Sequence, residues 1–222
     1  MPLLDFRTLA MIAVFSTLLM ALGIRLAVRL SEPSPAMRAW AIGSGLWALG
    51  FVLLLVRGGL PEALALVAGN TFVVVGLAWI YFGLRLTLGL PRGPRWDLPA
   101  SLLVGGVSFY GSVVSPNAPM RVLVFSLLLA GLAAGAAHLL LVVAPKRAPS
   151  EKRLLGGMGL AFLASSLLFA VRAGVAGALL AGWPAEGWAD TVRTLSTLTA
   201  IALNVTLMFG LTHLVTARYQ RK

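Results

Sequence analysis

What constrains this chain most is a rhythm: apolar runs of about twenty residues recur seven times, each closed by proline, glycine or arginine. The runs fall at about 6–26, 39–56, 62–84, 98–114, 121–144, 154–180 and 190–217. At ~1.5 Å of rise per residue, each is close to the ~30 Å of hydrocarbon in a bilayer. The breaks are Ser31-Glu-Pro-Ser-Pro35, Arg57-Gly-Gly-Leu-Pro61, the Pro/Gly-interrupted stretch around Arg92 and Arg95, Ser115-Pro-Asn-Ala-Pro119, Pro145-Lys-Arg-Ala-Pro149 and Trp183-Pro-Ala-Glu-Gly-Trp188. With 59% hydrophobic and 11% charged residues and a mean hydropathy of +0.93, a soluble core of 222 residues cannot hide this much apolar surface. The chain reads as one all-α domain, residues 1–222, a polytopic membrane protein of seven transmembrane helices with the lipid bilayer as its first partner. No room is left for a soluble domain.

The net charge of +11 resembles that of a nucleic-acid binder until the basic residues are placed. Arg25, Arg29, Arg38, Arg85, Arg92, Arg95, Lys146, Arg147, Lys152, Arg153, Arg218, Arg221 and Lys222 all follow helices one, three, five and seven. That is thirteen of the eighteen. The positive-inside rule then puts the N-terminus outside and the C-terminus in the cytoplasm, as in a multi-pass protein of a bacterial inner membrane, and no nucleic-acid partner is expected. Asp5 and Arg7 open the chain in place of a basic run, and no small-residue cleavage site follows, so the first apolar run is read as retained. Trp40 and Trp96 are expected at the inner interface, Trp183 and Trp188 at the outer one.

Several chemistries drop out at once. Cysteine is absent, which removes disulfides and thiolate sites. Lysine occurs only at positions 146, 152 and 222, outside the runs, so a retinal Schiff base has no attachment point. Apart from Glu62 and Asp190 at the very start of their runs, no acidic residue lies inside a run to complete a zinc site or a Ser-His-Asp triad.

Leu4-Asp-Phe-Arg-Thr-Leu9, Trp40-Ala-Ile-Gly-Ser-Gly-Leu-Trp-Ala-Leu-Gly50, Arg57-Gly-Gly-Leu-Pro-Glu62, Gly69-Asn70 and Gly83-Leu-Arg85 together resemble the N-terminal membrane input regions of bacterial GGDEF-type diguanylate cyclases. The likeness is clearest over residues 4–90. It implies a sensor module for c-di-GMP signalling, a homodimer, and a cytoplasmic output domain following helix seven. The segment Thr212-His-Leu-Val-Thr-Ala-Arg-Tyr-Gln-Arg-Lys222 looks like the exit from the membrane. No GGDEF motif or phosphate-cradling loop is present, so the output domain is expected to be absent from this chain and the chain itself is not expected to be an enzyme.

The chain's only two histidines, His138 and His213, each sit three residues after a glycine, Gly135 and Gly210, with Gly131 one turn earlier in helix five. By residue count both lie roughly 6–9 Å below the same membrane surface. Matched depth and a small neighbour beside each imidazole suit the two axial ligands of a haem iron, so haem b between helices five and seven, sensing redox state or a gas, is the sharpest expectation. Arg85, Lys146, Arg147 or Arg218 would pair with its propionates. The competing readings are a histidine that hydrogen-bonds a neighbouring helix beside a Gly131-x-x-x-Gly135 packing motif, and a pH- or metal-sensing role. An electron-transfer cytochrome or small transporter is a further alternative.

Arg172 stands alone in Phe169-Ala-Val-Arg-Ala-Gly-Val175. It is read either as snorkelling to the interface or, with Asn70 and Tyr110, as an outward-facing pocket for a small anionic or lipidic ligand, in a receptor without haem. Glu62 and Asp190 are its candidate partners on this chain. Asn204, with Ser165 and Ser166, is expected to act as interhelical glue.

Overall fold

The computed structural model describes residues 6–30, 34–91, 97–147 and 151–219. Asp5, Trp96 and the basic residues Arg92, Arg95, Arg221 and Lys222 lie outside the described residues. The described residues are helical, without a strand. Helix α1 is Phe6–Leu30, α2 Pro35–Leu55, α3 Glu62–Thr87, α4 Asp97–Phe109, α5 Ala118–His138, α6 Lys152–Leu180 and α7 Glu186–Tyr219. Six of them are long and apolar enough to cross a membrane, which makes this a multi-pass membrane protein. The seventh, α4, carries a shorter apolar stretch, Leu102–Val114.

Local chemistry explains where the helices start and stop. Pro35 opens α2 with its ring already at helical φ, and the Ser34 hydroxyl accepts from the Met37 N–H at 3.3 Å. Asn117 does the same for α5, its Oδ1 accepting from the Met120 N–H at 2.9 Å. Gly89 (φ +66°) and Gly182 (φ +78°) take the left-handed conformation just past α3 and α6, where a side chain would clash.

Two helices run on in a widened form. Beyond α4 comes a π-helix at Tyr110–Val114, and beyond α5 another at Leu139–Val143, followed by an α-turn Ala144–Arg147. Sequence reasoning closes helix five at Ala144, because Pro145 lacks an N–H and crowds the carbonyl of Leu141. The chain continues through the proline instead, and the wider π turn just ahead of it accommodates the misfit.

The closest packing in the molecule joins α2 to α3. A Cβ at Gly43 would lie 2.7 Å from the Gly76 carbonyl oxygen, one at Gly50 2.7 Å from that of Gly69, and one at Gly83 would collide with the Trp40 indole. Small residues therefore recur every seven positions on both helices of the pair, Ala36-Gly43-Gly50 against Gly69-Gly76-Gly83, running antiparallel in register. With no hydrophobic drive between helices in lipid, backbone-to-backbone dispersion of this kind is what holds them. It also buries Trp40 over Gly83, whereas Trp183 and Trp188 are exposed.

Around this seam the helices close a ring in the order α1, α2, α3, α5, α6, α7 and back to α1, with α4 against α3 and α5. One continuous core fills it, from Met20 and Trp47 through Val73 and Leu140 to Phe162 and Leu207.

Candidate functional site

The two histidines are the first residues to place. His138 ends the α-helical part of α5 and is exposed on the surface of the bundle, and His213 on α7 is exposed as well. Helix α6 packs against both α5 and α7 and stands between them. The glycines that were to admit a flat ring are taken: a Cβ on Gly135 would meet the Tyr81 ring at 3.5 Å, and one on Gly210 would run into the Met158 side chain. Beside Gly131 a Cβ would meet nothing within 4 Å, because that position faces outward. A hollow between Ile24, Val28, Met37, Trp40 and Leu211 has room for about one water. A macrocycle needs several hundred Å³. The donor set thus does not fit a bis-histidine haem inside one copy of the chain. Of the residues expected at the propionates, Arg85 donates to the Pro91 carbonyl at 3.1 Å and to the Tyr81 hydroxyl at 3.4 Å.

The group expected around Arg172 is likewise dispersed. Asn70 on α3 donates from Nδ2 to Ser108 Oγ on α4 at 3.2 Å, tying those helices together. Tyr110 is 48% exposed in the π-helical extension of α4. Arg172 lies on α6, whose packing is against α5 and α7 rather than α3 or α4. Neither proposed carboxylate reaches it, for Glu62 is exposed at the start of α3 and Asp190 pairs with Arg193 at 2.7 Å.

The polar centre that the structure does assemble lies between α1 and α7. Asn204 is fully buried, and its amide donates to Thr17 Oγ1 at 2.7 Å and to Ser16 Oγ at 3.2 Å. Both hydroxyls donate in turn to the carbonyl of Ala13, so the direction of every bond is fixed and Asn204 Oδ1 is left without a partner among the described residues. Of the other two residues expected as interhelical glue, Ser166 donates to the Ala130 carbonyl on α5 at 3.0 Å, whereas Ser165 donates to Ala161 within α6. Spacing within a helix could not reveal that α7 closes onto α1, 187 residues away. No family model, curated protein or solved structure matches the chain.

Proposed function

We propose that this chain is the membrane input module of a bacterial signalling protein, of the diguanylate cyclase type that its first ninety residues resemble, and that α7 is its output element. The observation that carries the reading is the length of α7. It is one unbroken helix of 34 residues, about 51 Å long, and outlasts the ~30 Å of hydrocarbon by roughly 20 Å. A rigid rod joined to the bundle through Asn204 and emerging from the membrane can carry a rotation or a shift to whatever follows it.

In this reading α4 also crosses, giving seven spans in the inner membrane with the N-terminus outside and the C-terminus in the cytoplasm. Charge supports that count. Seven crossings put thirteen of the eighteen basic residues on the cytoplasmic side, whereas a chain in which α4 turned back would divide them nine and nine. A second copy is the proposed partner. The outward residues Leu195, Leu198, Ala202, Val205 and Phe209 of α7 alternate in steps of three and four, the spacing of a two-stranded seam.

The test is a fusion of a diguanylate cyclase domain after Lys222 with one to seven residues inserted at the junction. Cyclic dinucleotide output should rise and fall with a period of about 3.5 residues, the repeat of a two-stranded coiled coil. A flat response to insertion length rules out transmission through α7.

A further inference from the structure

We infer that Arg172 and Arg193 form a binding site for one singly charged oxyanion, a phosphodiester or a carboxylate, at the end of the bundle where α6 turns into α7. This site is independent of the signalling reading and of the haem expectation.

Between Arg153 and the end of α6 at Leu180, Arg172 is the single ionisable residue in an otherwise apolar helix. It is only partly exposed, and among the described residues it makes no hydrogen bond or ion pair. A guanidinium at membrane depth without a counter-ion is costly, and among the described residues no carboxylate pairs with it directly.

Register then supplies the second cation. Gly210 faces Met158 across the α6–α7 contact, and counting outward along the antiparallel pair sets Arg172 opposite the turn that holds Ser196 and Arg193. Two guanidinium groups on facing turns repel one another. An oxyanion between them replaces that repulsion with two attractions, each through a forked donor shaped for phosphate or carboxylate oxygens.

Asp190 sets the valence. It pairs with Arg193 at 2.7 Å while itself 80% exposed, so two cations and one anion leave a net single positive charge. That balance favours a phosphodiester or a monocarboxylate over a doubly charged phosphate. The oxyanion can come from a lipid headgroup or from solution, and the two sources are separable by experiment.

Native mass spectrometry of the full chain in detergent, titrated with phosphatidylglycerol, gives the first arm. Thermal unfolding with acetate or dimethyl phosphate gives the second. For a lipid source, phosphatidylglycerol binds the wild-type protein, and Arg172→Gln and Arg193→Gln each weaken it about tenfold. Arg172→Lys weakens it less, and Lys152→Gln at the opposite end of α6 has no effect. For a dissolved source, acetate or dimethyl phosphate raises the unfolding temperature of the wild type but not of either glutamine variant. Binding of all three probes that is equal in the wild type and both glutamine variants, or absent from the wild type, overturns the site. Should Arg172→Gln fail to fold, the exposed Arg193→Gln decides alone.

Discussion

Gly76 and Gly174 are both glycines inside apolar helices, and they should respond to the same substitution in opposite directions. A Cβ on Gly76 would lie 2.6 Å from the backbone nitrogen of Trp47, an atom that cannot yield without separating α2 from α3, whereas one on Gly174 meets nothing within 4 Å. Gly76→Ala is expected to cost about 1–3 kcal/mol through overpacking. Gly174→Ala is expected to gain up to about 1 kcal/mol from helix propensity. Reversible unfolding in detergent measures both, and an equal response would remove the packing account. The seven-residue spacing of Gly69, Gly76 and Gly83 stands in the sequence, but the helix that packs against it does not. The histidines teach the converse. His138 and His213 shared depth and spacing, yet neither property fixes the direction of a side chain around the helix axis, and both imidazoles face out. Protein purified from haem-replete cells should accordingly show no Soret band, and His138→Ala with His213→Ala should shift stability by no more than about 0.5 kcal/mol. A Soret band lost in either variant would require a haem held between two copies.

At the scale of elements, the breaks were legible from proline and glycine, but two starts were placed at 39 and 121, past the Ser34 and Asn117 caps that open α2 at Pro35 and α5 at Ala118. Pro145 was misread for a physical reason. In water a proline ends a helix, but in lipid a terminated helix leaves carbonyls without donors, so widening at Leu139–Val143 is the cheaper response. Pro145→Ala should restore an ordinary turn there, seen as slower hydrogen exchange of the backbone amides after Leu141, with the fold retained. Unchanged exchange would mean that packing of Leu139 and Leu140 into the core, not the proline, sets the π geometry. The joint between α1 and α7 belongs to the same scale. Asn204→Leu removes both amide hydrogen bonds to Ser16 and Thr17, and in a membrane such bonds are worth about 0.6–2 kcal/mol in total effect on stability. In the cyclase fusion, the same substitution should flatten the response to junction length if α7 receives its state through that contact, and leave it intact if α7 is driven from α6.

For the whole molecule, membrane class followed from composition alone, but the order of helices around the ring did not. A helix in lipid is apolar toward its neighbours and toward the acyl chains alike, so the stripe that in a soluble protein marks the inward face is missing. What remains readable is charge, and it bears on the one span whose length is marginal, α4 with its extension to Val114. The chain has no cysteine, so single cysteines placed at Leu60, Leu90, Ser115 and Ala181 can be probed in intact cells with a membrane-impermeant maleimide without background. If α4 crosses, positions 60, 115 and 181 are labelled from outside and position 90 only after permeabilisation. If it does not, positions 90 and 115 fall on the same side, position 181 changes sides with α7, and the end of α7 emerges away from the cytoplasm. One comparison, position 90 against position 115, therefore decides whether α7 can serve as a cytoplasmic output at all. The thirteen-to-five division of basic residues argues that the two will label from opposite sides.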